Sequence, residues 1–248
     1  MMSSNKKSEW CTEHKICSFD VDPKLTVRLP ALCRFMQEAA YLHAEHLGLG
    51  HGMLANEKRA WVLARQRIEI KELPEWGDVV HIRTWPSARD KLFFYRDFEI
   101  TDQENRLILQ ASTAWFVMDV EKRERVSSSM FLNADLPEVR PAIFGSGLAR
   151  LKGFACHGGT PIPVNHGDLD MNGHVNNVRY IEWVLNSLPM EFCSVRTLRS
   201  FEANYIAEAA CGQTLTICNA ERDPEAMDHQ ITSADAEVFR AKSCWNPV

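Results

Sequence analysis

The densest run of side chains able to do chemistry is Asp168-Leu169-Asp170-Met171-Asn172-Gly173-His174-Val175-Asn176-Asn177, where two Asp, three Asn and one His fall within ten residues. An Asp or Asn before a helix has an ordinary structural use, which is to accept from the N–H groups that the first turn leaves unpaired. One cap serves one helix, so this run carries more polar groups than capping needs. Carboxylates and an imidazole can take up and return protons, carboxamides can orient a water, and the amide-rich start of a helix can polarise a carbonyl oxygen.

Those groups have to be held by a helix that follows them. Val175, Val178, Ile181, Val184, Leu185 and Leu188 recur at helical spacing, and Pro189 stops the pattern, which predicts a helix over about Val175 to Leu188. A similar helix is predicted earlier, over about Leu29 to Leu47. Pro30 sits near its first position, Leu32, Phe35, Met36, Ala39, His43 and Leu47 share one side, and Gly48 closes it. The two helical patterns align at an offset of 140 residues.

Strands follow in both halves. Val62, Ala64, Gln66, Ile68 and Ile70 alternate with charged residues, then Glu75-Trp76-Gly77-Asp78 turns into Val79-Val80-His81-Ile82. Ala203 to Ile206 and then Cys211-Gly212-Gln213, leading into Thr214 to Ile217, repeat that pattern at offset 135. Gln110-Ala111-Ser112-Thr113-Ala114-Trp115 returns as Arg240-Ala241-Lys242-Ser243-Cys244-Trp245 at offset 130. The shrinking offset means shorter loops in the second copy. Each copy is therefore a helix plus several antiparallel strands, an α+β arrangement in which a curved sheet covers the helix's apolar stripe. The expected division is a first repeat over 9–125, a linker over 126–155 with Ser127-Ser128-Ser129, Pro137, Pro141 and Gly145-Ser146-Gly147, and a second repeat over 156–248.

At 45% apolar and 25% charged residues, the 248-residue chain has a globular composition, which sets aside disordered and collagen-like classes. No run reaches the roughly 18 apolar residues of a membrane span, and the polar opening segment lacks a secretory signal, so a cytoplasmic location is expected. A net charge of −5 argues against bulk attraction to nucleic acid. Between Lys58 and Arg96, nine Lys/Arg stand against five Asp/Glu; this is either a solvated sheet face or a docking patch for an acidic partner. The eight cysteines are scattered without a CxxC pair and read as reduced thiols. His43, His46 and His51 lack companions that would complete a metal site, and no glycine loop for a nucleotide follows a strand, so neither metal nor cofactor is expected.

The run from Asp168 to Leu185, together with Trp76-Gly77-Asp78-Val79-Val80, Thr84-Trp85, Ala111 to Trp115 and Tyr205-Ile206-Ala207-Glu208, resembles the acyl-[acyl-carrier-protein] thioesterases of plant plastids and bacteria. The resemblance spans about Trp10 to Trp245. It implies a tandem (double) hot-dog fold and hydrolysis of an acyl-carrier-protein thioester to free fatty acid. It also implies catalytic roles for Asp170, Asn172, His174 and Glu208, and an acyl pocket in the first repeat with Trp61 and Leu63 on its wall. Two positions depart from the plant pattern: Gly173 stands where many members have Gln, and Ala209 where they have Cys directly after the Glu.

Thioester hydrolysis suits these residue types, because a thiol leaving group with a pKa of about 8.5 needs little acid assistance. Glu208 or Asp170 can take the water's proton with His174 holding or relaying it, Asn172 can orient the water, and the amides of Gly173 and Val175 can polarise the carbonyl. The implied partner is the acidic acyl carrier protein; association between copies of the chain is left open. An acyl-CoA thioesterase of the same fold and a noncatalytic acyl-binding protein are the alternatives.

Overall fold

The computed structural model describes residues 7–127, 140–145, 147–156, 158–234 and 236–248. The chain divides into two compact units, one comprising the chain up to Ala64 with Lys71–Leu148, the other Arg65–Ile70 with Ala149–Val248.

The first unit contains β1 (Trp10–Lys15), α1 (Leu29–His46), α2 (His51–Asn56), the first half of β2 (Arg59–Ile70), β3 (Val79–Arg89), β4 (Phe94–Thr101), β5 (Leu107–Asp119) and β6 (Glu124–Val126). Its sheet runs β1-β3-β4-β5 with every pair antiparallel, and β6 returns along β5. Helix α1 buries Leu32, Met36, Ala39, Ala40 and His43, close to the expected stripe. Pro30 falls within the first turn, where a missing N–H breaks no helical bond. At the other end, Gly48 takes a left-handed φ of +75°, which lets its N–H reach Glu45 O and the Leu49 N–H reach Ala44 O. Those two bonds satisfy carbonyls that the last turn would otherwise leave open.

His43 is fully buried inside this unit. Its Nε2–H donates to Lys7 O at 3.0 Å and its Nδ1 accepts from Arg96 at 3.0 Å, so both ring nitrogens are occupied. Burial pulls the imidazole down to about 4, which keeps it neutral.

The second unit contains β7 (Thr160–Pro163), α3 (Asn177–Asn186), the short α4 (Met190–Ser194), β8 (Arg196–Tyr205), β9 (Thr214–Asp223), β10 (Ala226–Thr232) and β11 (Glu237–Pro247). The second half of β2 pairs with β8, and the order continues β8-β11-β10-β9-β7, antiparallel throughout. Val178, Ile181 and Val184 of α3 are buried, as are Phe201, Leu215, Ile217, Ile231 and Phe239 of the strands. The helix starts two residues later than its apolar spacing predicts. Val175 is drawn into a bridge with Leu169, and Asn176 then caps the helix by accepting from the Val178 N–H at 2.9 Å.

The internal repeat survives in side-chain detail. Trp115 Nε1 donates to Thr113 Oγ1 at 2.8 Å in the first unit, and Trp245 Nε1 donates to Ser243 Oγ at 2.7 Å in the second. In the second unit this pair begins a longer chain. Ser243 lies 2.8 Å from His229 Nε2, His229 Nδ1 lies 2.7 Å from Asn219 Oδ1, Asn219 Nδ2 donates to Ser187 Oγ, and Ser187 donates to Val184 O. Each polar group has an assigned role, with Ser243 donating to Nε2 and Nδ1–H donating to Asn219. Strands β9, β10 and β11 are thereby tied to the C-terminal end of α3.

Two expectations change. Cys156 and Cys218 form a disulfide with Cα atoms 5.8 Å apart, so the reading of eight reduced thiols fails for this pair; 62 residues separate them in sequence, and only the fold brings them together. The expected linker is also no free tether over its described part. Ile143 N–H donates to the buried Asp97 in the first unit, while Leu151 N–H donates to Asn204 and Phe154 N–H to Gln230 in the second. Ser128, Ser129, Pro137 and Ser146 of that linker lie outside the described residues. Among the described residues no helix is long and apolar enough to cross a membrane.

Candidate active site

The polar run begins as a scaffold. After β7 the chain makes one 3₁₀ turn over His166–Asp168, with Asn165 and Asp168 capping each other's backbone. Asp168 is buried, accepting from the Asn165 N–H at 2.8 Å and from Arg179 Nε at 2.8 Å. Its carboxylate is therefore spent on structure, with an Arg179 partner that residue spacing does not reveal.

Asp170 opens a tight turn. Its Oδ1 accepts from the Asn172 N–H at 2.8 Å, its N–H donates to His174 O at 2.8 Å, and its carbonyl accepts from the Gly173 N–H at 3.0 Å. Gly173 has φ +79°, a left-handed conformation that residues with a Cβ rarely adopt. The turn leaves Asn172 exposed and Asp170 half-buried.

Past the turn, the Val175 N–H donates to Ala209 O at 3.2 Å, which lays residues 174–175 alongside 208–209. His174 Nδ1 and Glu208 Oε2 consequently lie 3.6 Å apart, with 42% and 28% of their side chains exposed. Side chains exposed to that extent stay reachable by water and substrate. Tyr180, one turn into α3, accepts from the Ala209 N–H at 3.2 Å. Burial first, then the nearby carboxylates of Glu208 and Asp170, push its phenol up to about 12 against the opposing pull of that N–H. Tyr180 is the residue that reading the sequence for reactive groups missed. Its signal was a hydroxyl on the apolar stripe beside Val178, Ile181 and Val184.

One sequence-based expectation is corrected here. The amides of Gly173 and Val175 were expected to polarise a substrate carbonyl, but both already donate, to Asp170 O and Ala209 O. In the first turn of α3, Val178 and Arg179 donate to Asn176, and among the described residues the Asn177 N–H has no acceptor. Glu208 and Cys211 lie in the loop between β8, which ends at Tyr205, and β9. Cys211 is exposed in the turn that Gly212 completes with φ +84°.

Trp61 and Leu63 belong to the first unit. Trp61 donates to Leu49 O at 2.9 Å and meets Phe94 edge-on at 5.1 Å, beside Leu54 and Val117; Leu63 is buried. That unit also holds a cavity of about 240 Å³, lined by Ser87, Tyr95, Asp97, Ser112, Phe144 and Leu148 among others, with neither Trp61 nor Leu63 on its wall. The basic stretch from Lys58 to Arg96 is no uniform patch. Lys58, Arg59, Arg67 and Arg83 pair with Glu121, Glu57, Glu69 and Glu99, and Arg96 donates to His43 and Thr84.

Two helix-and-antiparallel-sheet repeats in one chain, with a polar cluster leading into the second helix, define a tandem hot-dog protein. The profile of the acyl-ACP thioesterase N-terminal domain matches residues 7–129 and that of the C-terminal domain residues 157–247; the chain belongs to the acyl-ACP thioesterase family. It is 28% identical to the chloroplastic palmitoyl-acyl carrier protein thioesterase of Gossypium hirsutum, over 94% of this chain and 62% of that protein. It is 27% identical to the chloroplastic oleoyl-acyl carrier protein thioesterase 2 of Arabidopsis thaliana, over 91% of this chain and 66% of that one. The chain thus spans a little under two thirds of each of these relatives. An acyl-ACP thioesterase from Bacteroides thetaiotaomicron superposes with a TM-score of 0.86 at 25% identity, covering 99% of this chain and 100% of that structure.

Proposed function

We propose that the chain hydrolyses the thioester of acyl-[acyl-carrier-protein] and releases the free fatty acid. The observation that carries this reading is the meeting of His174 and Glu208 at 3.6 Å, partly exposed, beside the turn built by Asp170 and Asn172. Family membership supplies the substrate class.

In the reaction, a water attacks the thioester carbonyl carbon while its proton passes to Glu208 or Asp170, directly or through His174. Asn172, exposed on its turn, can hold that water through its carboxamide. The oxygen that gains charge needs a donor already in place, and the open Asn177 N–H at the positive end of α3 is suited to it. Collapse of the tetrahedral species breaks the carbon–sulfur bond, and the proton held by the carboxyl or imidazole returns to the departing thiolate. No residue of the chain becomes acylated.

The same reading assigns the acyl chain to the first repeat (9–125) and the chemistry to the second (156–248). Trp61 and Leu63 stay in it as pocket wall, supported by the apolar company of Leu54, Phe94 and Val117 around Trp61. The acidic carrier protein is the proposed partner and the cytoplasm the proposed setting. Because four of the nine cations in the Lys58–Arg96 stretch pair with glutamates and Arg96 is held by His43 and Thr84, docking on that stretch would fall to exposed Lys71, Arg89 and Lys91.

Parallel assays of free-thiol release from acyl-carrier protein and from acyl-CoA of the same chain length test the proposal. A higher kcat/KM for the carrier-protein substrate is expected. Preference for acyl-CoA would move the protein to the alternative enzyme reading, and no release from either would leave an acyl-binding protein.

A further inference from the structure

Glu208 lies in the irregular stretch between β8 and β9, and such a stretch holds an acid in one place only if its backbone is tied down. The tie is on the next residue. Ala209 is almost fully buried, its carbonyl accepts from the Val175 N–H, and its N–H donates to the Tyr180 hydroxyl, both at 3.2 Å. One bond reaches the strand-like segment that carries His174; the other reaches the body of α3. We propose that Tyr180 is a positioning residue of the site, its hydroxyl holding the Ala209 amide so that Glu208 stays opposite His174. The proposal rests on the reading of His174 and Glu208 as catalytic groups.

The tyrosine ring is well placed to act as a fixed post. It stacks on Phe239 with ring centres 5.4 Å apart and meets Trp183 and Tyr205 edge-on at 5.5 and 6.1 Å. Those ring contacts would survive in phenylalanine, but the hydroxyl that accepts the Ala209 N–H would not. A buried N–H left without an acceptor favours backbone rearrangement toward water, and here that movement would carry Glu208 with it. A shift of about 1 Å in a reacting group is enough to cost up to a hundredfold in rate. The raised phenol pKa fits the role, since the hydroxyl stays neutral through the working range of a carboxylate and an imidazole.

The test compares the full-length parent with Tyr180→Phe, Glu208→Gln and the double variant. For acyl-carrier-protein substrate, Tyr180→Phe should lower kcat by about tenfold or more while KM stays within about twofold. The same change in the Glu208→Gln background should cost nothing further, because the group it positions is already disabled. Amide exchange at Ala209 should speed up in Tyr180→Phe, while β10 and β11 keep their protection. Unchanged kcat with unchanged Ala209 exchange would overturn the proposal. So would an equal loss in the Glu208→Gln background, general loss of strand protection, or failure of Tyr180→Phe to fold, each of which marks Tyr180 as an independent or core residue. A parent that hydrolyses no thioester would refute the proposed function instead, and Ala209 exchange would still decide whether the clamp exists.

Discussion

His174 and Glu208 are 34 positions apart in sequence, and the backbone bond from Val175 to Ala209 lays their two segments side by side. The types of the reactive residues were legible in the sequence: an Asp, an Asn and a His crowded before a helix exceed what capping requires. What each backbone amide does was not legible, because the turn over 170–174 depends on local closure that spacing alone does not reveal. Gly173 and Val175 consequently looked like free donors, and their N–H groups turn out to build the turn and to hold Ala209. Asp168 shows the converse, since it had the same claim to chemistry as Asp170 until Arg179 and Asn165 accounted for its carboxylate. The groups near the site should therefore divide clearly in their effect on activity. Asp170→Asn should lower kcat by about a hundredfold, the usual scale for losing a general base or its direct support. Cys211→Ala should keep most of the activity, because the proposed nucleophile is water. Steady-state kinetics with intact-mass spectrometry checks both; an acyl adduct on Cys211 would reverse the assignment.

The helices were the most legible elements, since each carries an apolar stripe long enough to fix its period. The late start of α3 escaped because Val175 is as apolar as the helix it precedes, and its bridge to Leu169 is a tertiary event. The strands were recognisable from alternation, yet nothing in the spacing of His229, Asn219 and Ser243 announced the hydrogen-bonded chain that ties three of them to α3. That chain has a measurable consequence. Burial holds the His229 imidazole down at about 3 and His43 at about 4, against an ordinary value near 6.5. Between those values and 6.5 the unfolded chain binds protons that the folded chain refuses, so acid favours unfolding. The stabilising effect of neutral burial is therefore complete above about pH 6.5 and is lost progressively as pH falls through 6 and 5 toward the folded values. Urea midpoints should drop between pH 7 and pH 5 in the parent, and His229→Gln should show a shallower drop. A midpoint independent of pH would mean that neither imidazole is held neutral by the fold.

At the scale of the whole molecule, the repeat was readable because strand alternation and a Trp two residues after a hydroxyl recur in order, and the matching Trp115–Thr113 and Trp245–Ser243 bonds show why that spacing is kept. The Cys156–Cys218 bridge was not readable, since cysteine counting in a long chain cannot distinguish a pair joined across 62 residues from two buried thiols. Closing a loop of that length restricts the unfolded chain, and reducing the bridge should lower stability by about 2–4 kcal/mol. Denaturant melts with and without reductant, repeated on Cys218→Ser, check this; a variant insensitive to reductant whose stability equals that of the oxidised parent would contradict it. Four of the cations between Lys58 and Arg96 are likewise engaged by glutamates, a pairing that charge counting does not reveal. One site, assembled at the start of α3 from His174 and Glu208, is proposed to hydrolyse acyl-carrier-protein thioesters. The most direct measurement is kcat/KM for acyl-carrier protein in the parent and in a folded Glu208→Gln variant. A fall of about a hundredfold or more at unchanged melting temperature is predicted, and equal values in the two proteins would rule out a catalytic role for Glu208.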